Sequence, residues 1–272
     1  MLHIVIPALD EERRLPRTLR ELRRHVRAHR AVLGEVRVVV VDNGSSDRTA
    51  EVARAADHPA LPVRVISCPV RGKGAAVRAG LLACDADPDD LICFMDADGA
   101  TGLDALEEAW RQIVLGADVV IGSRGLLASV TEVRTRRVRA YGAAWYRRFA
   151  GRLLPGLADT QCGFKVFRAA LVQHVARDLV ARGFSFDVEL LVRLSVEGAR
   201  IEEIPVTWVD VPGSTFVPLR HGAGAFAELA GIAWRTRRLT PTFGRKPSVR
   251  RVPLVLSAPA ALLVTLVGGE AR

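Results

Sequence analysis

Short apolar runs alternate with amphipathic stretches through the first half of this 272-residue chain. Residues 3–6, 36–41, 63–67, 91–95 and 118–121 are rich in Val and Ile and bounded by polar or Gly-containing segments, which predicts buried strands. Between them, residues 16–30, 47–56, 73–84 and 103–115 carry helical spacing. Repeated strand–helix alternation implies a single α/β domain: a mostly parallel, twisted sheet with helices on both faces. Pro16 suits the first turn of its helix, and Asp47 reads as an N-cap.

The second half is less regular. Residues 134–148 form a basic, helix-compatible segment, 163–168 a short strand, 186–196 a helix and 201–208 a further strand. No internal repeat interrupts this, so the expected division is a catalytic-sized domain over 1–215 and a tail over 216–272. In the tail, Phe226, Leu229, Ala230 and Ala233 recur with helical spacing, followed by Arg235, Arg237 and Arg238. A basic amphipathic helix of this kind can lie in a membrane interface. Residues 252–267 lack charge but contain Pro253 and Pro259. They fall short of the roughly 18–20 residues of a span, and either a docking helix or a hairpin dipping into lipid fits. Arg245, Lys246, Arg250 and Arg251 before them suit an anionic leaflet.

Composition narrows the function classes. At 49% hydrophobic the chain can bury a core, which excludes a disordered protein. Four scattered cysteines form no C-x-x-C pair and so give neither a disulfide framework nor a zinc site; a reducing cytoplasm fits. The opening Met1-Leu2-His3-Ile4 lacks the basic and apolar regions of a signal peptide. The expected location is therefore the cytoplasm, or its membrane face if the tail binds lipid. Net charge is +9 and nearly all arginine, which suits anionic partners, although a coding bias toward Arg explains many single positions as well. Nucleic acid is not the expected partner: aromatics are 6%, and the arginine runs lack the stacking residues such binding uses. Nothing in the pattern sets an oligomeric state.

Candidate chemistry gathers where apolar runs stop. Residues 91–95 run straight into Asp96-Ala97-Asp98-Gly99-Ala100-Thr101, which places two carboxylates at the carboxyl edge of a sheet, where open α/β folds bind ligands. Two hard oxygen ligands without His or Cys suit Mg²⁺ or Mn²⁺ beside substrate phosphate. Asp85-Ala86-Asp87 has the same spelling but ends a helix in an acidic loop, and reads as solvated. Asp42 and Asn43, after the second strand, can hydrogen-bond a base or ribose, while a turn with an N-cap explains residues 44–47 equally well. Pro7 and the acidic Asp10-Glu11-Glu12 follow the first strand and can contact ribose or base; an acid-enriched helix start is the plain alternative. Arg71-Gly72-Lys73-Gly74 opens a helix, with glycines for close backbone approach and Lys73 as a point charge for a phosphate or a base contact. Its spacing is not that of a Walker loop. Arg124 ends the fifth strand at the same rim, and Arg134, Arg136 and Arg137 follow as anion-binding candidates or as a solvated basic helix. His25 and His29 are spaced like a helical metal pair, yet they sit among eight arginines from Arg13 to Arg30 with no third ligand in reach of the sequence, so a solvated face is expected.

Taken together, these strings resemble family 2 glycosyltransferases of the nucleotide-sugar-binding GT-A fold, and within them the dolichyl-phosphate β-glucosyltransferases and their bacterial polyprenyl-phosphate counterparts. The resemblance rests on Ile6-Pro7 with Asp10-Glu11-Glu12 and Arg14-Leu15-Pro16, on Val41-Asp42-Asn43-Gly44-Ser45, on Gly72-Lys73-Gly74, and on residues 96–101. It continues through Asp159-Thr160-Gln161-Cys162-Gly163-Phe164-Lys165, Phe186-Asp187-Val188-Glu189-Leu190-Leu191, and Trp208 with Gly213-Ser214. It implies a UDP-glucose-type donor, Mg²⁺ or Mn²⁺ held by Asp98 and Asp96, a polyprenyl-phosphate acceptor, and inversion at the anomeric carbon. Pro7, Asp10, Glu11, Asp42, Asn43, Lys73, Asp96, Ala97, Gln161 and Ser214 are then expected at the substrates. Arg124, with Arg136 or Arg137, screens donor and acceptor repulsion, and Asp159, or Asp187 and Glu189, orients sugar hydroxyls. The chain departs from the family pattern in carrying Asp10 for Asn, Asn43 for Asp and Thr215 for Lys. The rival within the family is transfer to a hydroxyl acceptor, for which Asp159 would serve as base. A nucleotidyltransferase is disfavoured because the loop after the first strand is acidic rather than Gly-rich and basic.

Overall fold

The computed structural model describes residues 1–132, 149–211, 218–237, 239 and 248–251. Its strands are β1 (Leu2–Ala8), β2 (Val36–Asp42), β3 (Val63–Ser67), β4 (Leu91–Met95), β5 (Val119–Ser123), β6 (Val130–Glu132), β7 (Phe164–Arg168), β8 (Arg200–Pro205), β9 (Thr207–Val209) and β10 (Ser248–Arg251). Eight of them form one sheet in the order β10-β8-β5-β7-β4-β1-β2-β3, and β6 pairs with β9 in a small parallel ribbon. The helices are α1 (Leu15–Ala28), α2 (Arg30–Leu33), α3 (Thr49–Arg54), α4 (Lys73–Ala83), α5 (Ala105–Val114), α6 (Ala169–Ala176), α7 (Phe186–Val196) and α8 (Pro218–Thr236).

Strands buried on both faces explain the continuous apolar runs. Val5, Val39, Phe94 and Ile121 face one core, shared with Val77 and Leu81 of α4, Val172 of α6 and Leu191 of α7. Their neighbours Ile4, Val38, Cys93 and Val120 face the other, against Leu19 and Leu22 of α1 and Leu106 and Ile113 of α5. All four cysteines are free and buried, and burial pushes the Cys162 thiol up to about 11.

One strand breaks the parallel order. β7 runs antiparallel to both β4 and β5, with Met95 opposite Phe164. Its amino end therefore lies at the rim where its neighbours' carboxyl ends finish, which carries residues 159–163 to the edge that holds Asp96 and Asp98. The predicted strand at 201–208 divides after Pro205, which has no N–H for a ladder, and Val206 N–H turns to Ser129 Oγ at 3.3 Å. The predicted helix at 16–30 divides at His29, which leaves helical geometry with φ −110° and ψ 22°.

Two readings of the sequence are corrected here. Part of the apolar face of α8 packs on protein rather than lipid, because Leu229 and Ile232 are buried in the core beside α7, while Ala230 is exposed. Glu228 of the same helix accepts the Gly183 and Ser185 N–H groups at 3.0 and 3.2 Å, and β10 pairs with β8, so the first part of the expected tail is built into the domain. His25 and His29 do have a third acidic neighbour, Glu107 from the first turn of α5. Residues 252–267 and the 215 boundary lie outside the described residues, among which no helix is long and apolar enough to cross a membrane. Asp85 and Asp87 are exposed, as expected.

Candidate active site

The strand ends deliver Pro7, Asp42, Asp96 and Arg124 to one rim, and loops pinned to one another complete it. After β1 the chain turns at Asp10, which adopts φ 55°, a left-handed conformation that Asp and Asn tolerate better than most residues. Asp10 Oδ1 accepts the Ser46 N–H at 2.7 Å, so this carboxylate ties the first rim loop to the second rather than standing free for a ribose. Asp42 Oδ1 caps the Ser45 N–H at 3.1 Å.

Asn43 corrects the expectation of a base contact. Its amide donates to the Cys68 and Val70 carbonyls at 3.1 and 2.7 Å, and its oxygen accepts the Gly72 N–H at 2.8 Å. With 4% exposure it joins the second rim loop to the third. The glycines beside Lys73 are also read differently in three dimensions. A Cβ on Gly72 would lie 2.1 Å from the Arg182 carbonyl oxygen, and one on Gly74 would lie 2.5 Å from the Ala181 carbonyl oxygen. The Gly74 N–H donates to the Arg182 carbonyl at 2.9 Å, so these glycines admit a protein loop, not a phosphate.

Lys73 itself reaches the carboxylate pair, with Nζ 2.7 Å from Asp96 Oδ1. Burial works against its charge, but Asp96 and then Asp187 more than offset that, and its pKa is raised. Asp98 Oδ1 accepts the Ala100 N–H at 3.0 Å. Burial and the neighbouring Asp96 raise the Asp98 pKa, and burial likewise raises that of Glu11, which also feels Asp98 and Asp96. Glu11 is gripped by Arg14, whose Nη1 is buried without a hydrogen-bond partner. A set of oxygen donors held together against burial and mutual repulsion suits a divalent cation such as Mg²⁺ or Mn²⁺, and the unpartnered guanidinium nitrogen beside it suits an anion.

Asp159 and Arg124 form one unit. Arg124 Nε donates to Asp159 Oδ2 at 2.6 Å and Nη2 to Oδ1 at 3.1 Å. Burial opposes ionisation of Asp159, yet the guanidinium holds it below the usual carboxylate range, and the same partner raises Arg124. The guanidinium also lies over the Trp208 ring, 5.4 Å from its centroid. Asp159 therefore aims an arginine and is poorly suited to take a proton. Gln161 Nε2 donates to the Phe184 carbonyl at 3.1 Å, and the Ala97 carbonyl accepts from Thr18 Oγ1 at 2.8 Å.

Asp187 and Glu189 do not reach a sugar, a second correction. Asp187, 3% exposed, pairs with Lys165 Nζ at 2.6 Å, and burial raises its pKa. Glu189, with no exposure, accepts the Val180 and Ala181 N–H groups at 3.0 and 2.6 Å and pairs with Arg193. Both support the floor and the loop beneath Lys73. Arg134, Arg136, Arg137, Ser214 and Thr215 lie outside the described residues. The sequence reading assigned no role to Arg14, Thr18, Gly163, Lys165 or Trp208, although all but Thr18 stand in strings that carried the resemblance. Only the Glu11–Arg14 spacing of three signalled a pair.

Comparison with known proteins bears on this geometry. A dolichyl-phosphate beta-glucosyltransferase of Trichomonas vaginalis is 32% identical over 225 residues, covering 78% of this chain and 67% of that protein. Those of Drosophila melanogaster and Homo sapiens are 34% and 32% identical, each covering 80% of this chain and 69% and 70% of their own lengths. The chain thus spans about two thirds of these relatives. Among solved structures, glucosyl-3-phosphoglycerate synthase from Mycobacterium tuberculosis in complex with Mn²⁺, UDP and phosphoglyceric acid superposes with a TM-score of 0.59 at 21% identity, covering 90% of this chain and 80% of that one. That likeness shows the shared fold. The model of the family described as Glycosyl transferase family 2 matches residues 3–176, from β1 through the paired carboxylates to the end of α6, so this chain belongs to glycosyl transferase family 2.

Proposed function

We propose that this glycosyltransferase moves glucose from UDP-glucose onto a polyprenyl phosphate with inversion. The observation that carries the reading is the rim itself: Asp96 and Asp98 side by side, flanked by Lys73, Arg14 and the Arg124–Asp159 unit. Two anions must meet here while a diphosphate departs. Asp96 and Asp98 would hold Mg²⁺ or Mn²⁺, which when bound neutralises the leaving diphosphate. Arg124, fixed by Asp159, supplies a guanidinium for phosphate oxygens, and Arg14 Nη1 offers a second donor. The outer rim loops, cross-pinned through Asp10, Ser46 and Asn43, keep this field in place before substrate arrives.

The state of Asp159 supports a phosphate acceptor. A hydroxyl nucleophile needs a base, and the expected candidate is clamped by Arg124 with a lowered pKa. A phosphomonoester, with a second pKa near ~6, arrives largely dianionic and needs none. The names of the relatives point to the same acceptor class. Net charge of +9, with Trp234 65% exposed and Arg237 5.4 Å from its ring centroid, supports peripheral attachment at the cytoplasmic face of an anionic membrane.

A donor-by-acceptor matrix tests the reading. UDP-glucose, GDP-mannose and UDP-N-acetylglucosamine are offered with polyprenyl phosphate, glycans or small alcohols, with Mn²⁺, Mg²⁺ or chelator. Metal-dependent transfer of glucose to the lipid phosphate is expected. Preferred transfer to a hydroxyl acceptor would overturn it.

A further inference from the structure

His25, His29 and Glu107 form a cluster that the transfer reaction does not use. The i, i+4 spacing sets both imidazoles on one face at the end of α1, their ring centroids 4.3 Å apart. Glu107 comes from the first turn of α5, whose adjacent Glu108 is occupied by Arg111 and Gln112. His25 Nε2 lies 2.7 Å from Glu107 Oε1, and His29 Nδ1 lies 3.6 Å from the same oxygen. In a chain this rich in arginine, Glu107 pairs with the two imidazoles and with no arginine among the described residues.

We infer that these three side chains bind a transition-metal cation, Zn²⁺ by ligand chemistry, at a site separate from the paired aspartates. Two imidazole nitrogens and one carboxylate suit zinc, with water completing the shell, whereas Mg²⁺ and Mn²⁺ favour the oxygen donors of the rim. One ligand atom from each residue already lies within 4.8 Å of the others, so a shift of roughly 1 Å brings all three to zinc-bonding distance. His29 also donates Nδ1–H to the His25 carbonyl at 3.0 Å, a bond given up if the metal takes that nitrogen. The cluster sits at the carboxyl end of α1, where the helix dipole favours a cation. Side-chain exposures of 16%, 45% and 25% leave it open to solvent ions.

The consequence is mechanical. Thr18 of α1 holds the Ala97 carbonyl between the two rim aspartates, and α5 leaves directly from the same loop. A metal crossing from α1 to α5 braces the two helices that flank the catalytic turn.

The experiment uses the full chain and Zn²⁺ alone, titrated in excess Mg²⁺ so that the rim is saturated. Wild type is expected to bind one Zn²⁺ and to give the absorption of tetrahedral Co²⁺ on substitution. Melting temperature should rise by about 5 °C at a hundredfold excess over Kd. His25→Ala and Glu107→Gln should lose affinity by more than the roughly 10–100-fold typical of an outer-shell partner, while Asp98→Ala keeps it. His29→Ala changes an exposed helix end and so decides the matter even if His25→Ala misfolds. Equal Zn²⁺ binding by wild type and His29→Ala, or loss of the ion in Asp98→Ala alone, would overturn the inference.

Discussion

The carboxylate of Asp96 occupies the space that a side chain on residue 163 would need: a Cβ built on Gly163 would lie 1.9 Å from Asp96 Oδ2. The same glycine's carbonyl accepts the Asp96 N–H at 3.0 Å, so the residue leading into the antiparallel strand β7 both anchors and shapes the first aspartate. Gly163→Ala should therefore rotate Asp96 away from Lys73 and the rim. Transfer is expected to fall roughly 10²–10³-fold, the scale of removing one pre-aimed electrostatic group, with Mn²⁺ affinity falling in parallel. Steady-state rates and a Mn²⁺ titration check this, and wild-type rates with intact metal binding would refute it.

Burial and the neighbouring Asp96 both disfavour the charged form of Asp98 and raise its pKa. Replacing it trades function against stability. Asp98→Ala should abolish measurable transfer, while its metal-free melting temperature equals or exceeds that of the wild type. Chelator should reproduce the loss of activity in the unmodified enzyme, reversibly on adding Mn²⁺. Thermal melts beside activity assays read both sides; a folded Asp98→Ala with normal turnover would remove the metal assignment.

What could be seen in the sequence followed from what periodicity reports. The strand β4 and the helix α7 fall at the residues their apolar patterns gave, because elements buried so fully leave an uninterrupted signal, and the half-buried edge strand β3 also falls where its Val and Ile positions placed it. Direction within the sheet leaves no such trace: β7 reads as a strand either way, and only its partners reveal that it runs backwards. Polar residues at strand ends were correctly placed at one rim, yet their partners could not be read. Asp187, Glu189 and Asn43 look like ligands in a string of letters and prove to be buried props, since a carboxylate or amide that braces a loop has the same spelling as one that binds a sugar. Glu107 lies 82 residues from His25, a distance no local spacing spans.

Lys165 and Asp187 form a buried pair 2.6 Å apart, with Lys165 unexposed and its ammonium 5.5 Å from the Phe94 ring centroid. Lys165→Met strands a carboxylate in the core and should cost about 3–5 kcal/mol. The double variant Lys165→Met with Asp187→Leu should recover most of that, because desolvation of the pair consumes much of its attraction. Urea denaturation of the two variants gives the comparison. A double variant no more stable than Lys165→Met would show that the stranded carboxylate was not the source of the loss.

Asp159 links the geometry of the rim to acid stability. Its folded pKa lies below the ordinary 3.8 because Arg124 and the Arg124 N–H favour the carboxylate over the opposing effect of burial. A depressed pKa contributes stability that is fully present above the unfolded value and is lost as pH falls through the folded one. Asp159→Asn should therefore be less stable than wild type at pH 7 by roughly 1–3 kcal/mol, and the gap should close only below the ordinary carboxylate range. At neutral pH it should also lose transfer, through a freed Arg124 rather than a missing base. Arg124→Lys tests that route, since an ammonium cannot make the two-point contact, and its loss should resemble that of Asp159→Asn. A base role would instead leave Arg124→Lys active and give Asp159→Asn an activity that climbs steadily with pH.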